Sequence, residues 1–277
     1  MIRTGSEMWR SGWLPALLLY AATATASAQR SQLELRPRTG DTVRMRLDQV
    51  TEMQGGRSGA PMKPVVTTLT MLSRAIVERS DSMSALIVAV TDSVDVHSSD
   101  VRARAMVSKT EDQLRGRQMR LRLAPDGSVS VADRASDVPR EVNELLAVMP
   151  GSFPREPVAI GDTWVREMAI APPTSIAGVP VRGSVRATFR LDSISRGGDL
   201  AYVSMRGTLQ QRATQTAASV FAGSVNGSLV VNRRRGWLNE SRFLVEMRTT
   251  LVATGAASTA MDFRMKITQH MRVVDKR

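Results

Sequence analysis

From Met261 to Val273 the chain alternates without interruption. Met261, Phe263, Met265, Ile267, Gln269, Met271 and Val273 share one face, and mostly polar or charged residues take the other. A period of two is the mark of a half-buried β-strand. Thirteen residues at ~3.3 Å each would span about 40 Å, against a usual strand of 5–6 residues. Strands this long, joined by short hairpins, favour one strongly curled antiparallel sheet over a small compact sandwich.

The same pattern recurs along the chain. Val43, Met45 and Leu47 oppose Arg44, Arg46 and Asp48, while Val65 to Glu78 and Ala85 to Val96 read as a hairpin around Arg79-Ser-Asp-Ser82. Further strands are expected at Gln118 to Leu123, Val129 to Val131, Val165 to Ile170, Val185 to Leu191, Leu200 to Gln211, Val220 to Asn232 and Trp237 to Val252. Gln54 to Gly59 reads as a flexible loop, and Arg233-Arg-Arg-Gly236 as an exposed hairpin tip.

Two launches organise these runs. Gly40-Asp-Thr42 precedes the first and Gly161-Asp-Thr-Trp164 opens the second half. Asp162 is suited to accept backbone N–H bonds that close the turn, and Trp164 to anchor the core. Between the halves Val138, Val142, Leu145, Leu146 and Met149 recur at helical spacing, between Asp137-Val-Pro139 and the stop at Pro150-Gly151. The expected fold is therefore mainly β: a long-stranded, strongly curled antiparallel sheet, a half-barrel or a two-part β fold, with one amphipathic helix packed on it. The domain reading is a leader over residues 1–28 and a single β-rich domain over 29–277. That domain has a first half at 33–134, a connecting helix at 135–151 and a second half at 157–275.

The leader reading rests on Arg3 and Arg10, an apolar run from Trp13 to Ala24, and Ala26-Ser-Ala28 before Gln29. It predicts export to the periplasm or beyond, with cleavage after Ala28. The absence of cysteine removes disulfides, thiol chemistry and a lipidated Cys, so no lipid anchor is expected. Strand alternation also suits an outer-membrane barrel, but such barrels carry aromatic girdles. Two Tyr and four Trp, with Tyr20, Trp9 and Trp13 in the leader, do not furnish them. The expectation is a protein that is not integral to a membrane.

No catalytic constellation stands out, so no enzyme, cofactor or metal is expected. His97 shares a strand face with Asp95, two potential ligands or an acid–base pair without a third partner. An exported hydrolase built on them is the weaker reading. His270 sits on the polar face of the last strand, where solvation suffices to explain it. The net charge of +12 comes mainly from dispersed arginines, and only 4% of residues are aromatic. That argues against nucleic acid, whose readers interleave stacking rings among their cations. It leaves open an assembly module touching anionic envelope polymers.

Methionine is the compositional oddity. Met119, Met149, Met205, Met247, Met261, Met265 and Met271 fall on apolar faces, where Met fills gaps or makes an adaptable hydrophobic surface. Leu146, Met149, Met247 and Met265 are the candidate contacts for an apolar ligand, a lipid or acyl chain, or for a partner protein. Gly161, Asp162 and Trp164 are the structural motif.

Several stretches together resemble a family of bacterial exported proteins and lipoproteins of unknown function that carries a Gly-Asp-Thr-Trp motif. These are Leu33-Glu-Leu-Arg-Pro-Arg-Thr-Gly-Asp41, Asp126-Gly-Ser-Val129, the helix, Gly161-Asp-Thr-Trp164 and the Gly-rich hairpin from Gly223 to Gly236. The resemblance implies no activity. The long-strand architecture is similar, more loosely, to the lipoprotein-carrier half-barrel, in which a curled sheet and a covering helix enclose an apolar cavity.

Overall fold

A computed structural model describes residues 30–57, 63–101, 108, 111–132, 151–170, 183–211, 219–252 and 260–274. They form one antiparallel sheet of eleven strands. In the first half run β1 (Thr42–Arg57), β2 (Val65–Ser80), β3 (Ala85–Ser98), β4 (Gln118–Leu123) and β5 (Val129–Val131). In the second run β6 (Thr163–Ile170), β7 (Gly183–Ile194), β8 (Leu200–Gln211), β9 (Ser219–Asn232), β10 (Trp237–Val252) and β11 (Ala260–Val273). Sixteen residues in β1, β2 and β10 make strands of about 50 Å at ~3.3 Å per residue.

The order β5-β4-β3-β2-β1-β11-β10-β9-β8-β7-β6 is two meanders joined where β1 pairs with β11. Tight turns gather at one end, here called the base: Asp81–Ser84, Ala124–Ser128, Ser195–Asp199 and Arg233–Gly236. Because every pairing is antiparallel, β5 and β6 both run away from the base. They are the two edges of the sheet, and closing it by joining them would require a parallel pair. The sheet is not closed.

Curling is read from the core. Val77, Ile87 and Leu123 of one meander share a buried cluster with Phe189, Leu191, Val203 and Val231 of the other. Leu33, Leu35 and Phe153 lie in the same cluster. They arrive on two straps that cross the base. Ser31 and Val158 exchange backbone hydrogen bonds of 2.7 and 3.0 Å, Leu35 N–H donates to Pro125 O at 2.9 Å, and Phe153 N–H donates to Asp126 O at 2.9 Å. Gly236 packs against the strap: a Cβ there would collide with the Arg36 carbonyl, so this position in the β9–β10 turn accepts only glycine.

Three expectations change. The helix over 137–149, with Leu146 and Met149, lies outside the described residues, which do not support it. The helical turn that is described, at 111–114, comes after β3 in the chain and caps its unpaired flank, Val96 N–H donating to Glu111 Oε1 at 2.7 Å. Gln54 to Arg57 is not a loop but the end of β1, paired with β11 up to Arg57↔Met261. Glycine there serves packing: the Phe263 ring occupies the place of a Gly55 side chain, 2.5 Å from where its Cβ would stand. Lastly, the Arg233–Arg235 tip is only partly exposed, because Arg233 Nη1 donates to Gly198 O at 2.9 Å and ties the two neighbouring base turns together.

Candidate functional site

The inner face of the sheet changes character along its length. At the base it is sealed by Leu33, Leu35 and Phe153, with Phe189 and Leu191 at 0% exposure. Toward the far end the register sets Met53, Met265 and Met247 side by side across β1, β11 and β10. Thr51, Ile267 and Val245 form the next row toward the base, and Leu47 and Met271 pair two rows further on. Met247 is buried at 8% exposure, but Met53 is 48% and Met261 38% exposed. Leu47, Leu69, Met71, Met265 and Ile267 are all half-buried. An apolar floor therefore remains partly open where the strands outrun the core. Of the sequence-derived contacts, Met247 and Met265 are brought together as cross-strand neighbours.

The outward face is charged. Arg46, Arg272 and Glu240 stand in one cross-strand row, and Asp48, His270 and Arg242 in the next. Asp48 accepts from Arg46 at 2.8–3.0 Å and from Thr70 Oγ1 at 3.1 Å. The hydrogen bonds from Arg46 hold its carboxyl below the usual range, against partial desolvation. Glu240 lies 2.8 Å from His270 Nε2 and 2.7 Å from Arg242 Nη2. Desolvation raises its carboxyl, but these two hydrogen bonds outweigh it and leave the group below its ordinary value. His270 is thus a half-buried member of a hydrogen-bonded ladder rather than a freely solvated ring. A cavity of about 490 Å³ touches Met247 and Met265, yet takes most of its lining from outward positions such as Glu52, Glu246, Arg248 and Lys266.

His97 and Asp95 meet at 3.3 Å with side chains 77% and 63% exposed. Among the described residues no group of three metal-ligating side chains gathers around them or elsewhere.

The Gly-Asp-Thr turns are closed as the sequence suggests, and identically. Gly161 (φ 94°) donates to Leu191 O at 2.7 Å, and Leu191 N–H returns to Asp162 O at 3.1 Å. Ala159 N–H donates to Asp162 Oδ2 at 2.9 Å and Asp162 N–H to Ala159 O at 3.0 Å. At Gly40 (φ 87°) and Asp41 the same four bonds recur with Val77 and Arg38 as partners, at 2.9–3.0 Å. Trp164 stacks on Phe189 with centroids 5.7 Å apart, and its Nε1–H donates to Ser152 O at 2.7 Å.

One functional candidate is not visible in the sequence pattern alone. On β6 the side chains alternate, Val165 and Glu167 outward and exposed, Trp164 and Arg166 inward. Arg166 Nη2 donates to Phe153 O, while its Nε is buried without a partner. The available signal was parity: Arg166 shares the face of Trp164.

No family model and no curated protein matches this chain. Among solved structures it is similar to the OccK2 (OpdF) protein of Pseudomonas aeruginosa in complex with glucuronate. That match has 7% identity and a TM-score of 0.25, covering 88% of this chain and 100% of the other. A COG4313 outer membrane channel from Pseudomonas putida F1 matches at 10% identity and a TM-score of 0.23, covering 89% and 99%. The outer membrane protein OprG of P. aeruginosa matches at 6% and 0.13, covering 86% and 98%. Two expectations are corrected by these matches to outer-membrane proteins: that the chain is not an integral membrane protein, and that it is periplasmic or secreted. Likenesses this distant assign no activity.

Proposed function

We propose that this chain is a non-enzymatic protein of the cell envelope that holds an apolar ligand, a lipid or acyl chain, on the inner face of its sheet. The observation that carries the reading is the contrast along that face, packed shut at the base and partly open around Met53, Met265 and Met261 at the far end. Methionine suits such a role because its flexible thioether adapts to chains of variable shape. Among the described residues of this surface none supplies a nucleophile or an acid–base pair, and binding is the chemistry they offer.

The test is displacement of a fluorescent fatty acid from the purified full chain, together with solvent extraction and mass spectrometry of protein from its own host. Saturable binding with an extractable lipid supports the reading, and its absence from both measurements overturns it. Met265→Glu sharpens the assignment. A carboxylate on the apolar floor should weaken binding at least about tenfold, since an unpaired charge resists desolvation. Unchanged affinity would place the ligand elsewhere.

A further inference from the structure

The inner face carries Gln49, Thr51, Gln269 and Thr249 among its apolar side chains, and Arg166 adds a cation whose bond to the 151–153 strap uses only one of its donors. Its cross-strand neighbour is Ala187, at 0% exposure, and the same register row continues through Gly207, Val225, Val245 and Ile267 to Thr51. A guanidinium carries five N–H donors and no acceptor. Here one backbone oxygen, Phe153 O, accepts from Nη2, and Nε is sealed from solvent with no acceptor. Among the described residues no carboxylate pairs with Arg166. Arginines drawn into apolar surroundings are ordinarily matched by an anion, because an unmatched charge there is costly.

We propose, resting on the lipid-binding reading above, that Arg166 supplies the missing half of the ligand's recognition. The ligand is an anionic amphiphile whose carboxylate or phosphate sits on the Arg166 guanidinium and whose chain, displacing the packing over buried Ala187 and Val225, reaches Met247 and Met265. The planar fork of arginine matches both oxyanions bidentately. The reach also agrees. From β6 to β10 is four interstrand spacings, about 19 Å along the sheet at ~4.8 Å each. Curling shortens that path toward the ~15 Å of one acyl chain, half of a ~30 Å bilayer core. Among the described strands β6 is an outermost one, so the head group lies at the margin of the sheet.

The experiment compares oleate, oleoyl lysophosphatidate and oleyl alcohol by isothermal titration on the full chain, on Arg166→Met and on Arg166→Lys. Wild type should bind one or both anions at least about tenfold more tightly than the alcohol, and the stronger of the two identifies the head group. Arg166→Met should bring anion and alcohol to equal affinity without abolishing alcohol binding. Arg166→Lys should keep only part of the preference, since a point charge replaces the fork. Equal binding of anions and alcohol by wild type overturns the proposal, and that comparison needs no variant to fold. A preference that survives in Arg166→Met overturns it as well. Failure of wild type to bind any of the three instead overturns the lipid-binding reading on which it rests.

Discussion

At Gly40-Asp41-Thr42 and at Gly161-Asp162-Thr163 the backbone closes through the same four hydrogen bonds, yet the strands they launch live in opposite circumstances. β1 enters the middle of the sheet and is paired on both sides, by β2 and β11. β6 enters at the edge and, among the described strands, pairs with β7 alone. The side chains just beyond each turn differ accordingly. Val43 after the first is an ordinary buried aliphatic. Trp164 after the second stacks on Phe189 and reaches Ser152 with its indole N–H, and Arg166 reaches Phe153 two residues on. The same local device thus serves both strands. At the edge, side chains bonded to the 151–153 strap stand in for the absent neighbouring strand.

That contrast breaks most readily at the tryptophan. Trp164→Ala removes a large ring from the core and frees the strap at once, so it should cost about 3–5 kcal/mol in a urea or thermal melt. Val43→Ala at the equivalent place on β1 should cost about 2 kcal/mol, two methyl groups' worth of burial and packing. Equal losses would show that the edge is held elsewhere, and that Trp164 is only another core residue.

The turns themselves should respond alike. A Cβ on Gly40 or on Gly161 would meet nothing within 4 Å, so the cost of alanine is conformational alone. At φ of 87° and 94° it should be about 1–2 kcal/mol for each. Asp41→Ala and Asp162→Ala each delete one backbone N–H acceptor and should lose about 1 kcal/mol. The four single variants, measured by urea unfolding, sharpen the comparison if each pair agrees within about 0.5 kcal/mol. A cost confined to the Gly161 turn would mean that strand pairing on both sides of β1 makes its turn dispensable.

The strands were legible because alternation is local. Gln118–Leu123, Leu200–Gln211 and Trp237–Val252 have the ends that their side-chain pattern predicts. The turn chemistry of Asp162 was equally visible, since a short carboxylate three residues from the amide it caps needs no distant partner. What the pattern does not carry is which strands become neighbours. Nothing in Thr42–Arg57 or Ala260–Val273 announces that the first strand pairs with the last. Nor does the alternation of Leu33 and Leu35 with Glu34 and Arg36 reveal that this segment crosses the base. Arg166 was hidden for a related reason: only after β6 is placed against β7 does its parity with Trp164 put a cation on the inner face. The ladder of Arg46, Asp48, His270 and Glu240 depends on three strands from opposite ends of the chain, so dispersed charges in the sequence become ordered pairs only in the sheet.

That ladder yields the smallest expected effect and the last way to separate the two launches. Asp48 on β1 and Glu240 on β10 have carboxyls held below their ordinary values by Arg46 and by His270 with Arg242. A group depressed in the folded state contributes stability that is fully present above its unfolded value, near 4. That contribution is lost as pH falls through the lower folded value. Acid below about pH 4 should therefore weaken the junction of β1, β11 and β10. The pairs are partly exposed, with side-chain exposures of 27–39% at Arg46, Asp48 and Glu240, so the loss should stay within about 1 kcal/mol. Hydrogen exchange measured from pH 6 down to pH 3, corrected for the intrinsic rate, should show protection falling at Arg46–Val50 and Glu240–Leu244. At Thr163–Glu167 on β6, where the Trp164 indole bond carries no titrating charge, protection should fall less. A Glu240→Gln variant should reduce the acid response of the central strands alone. Equal losses at both launches would mean that acid acts on the sheet as a whole, and that the ladder adds nothing particular to the strand it crosses.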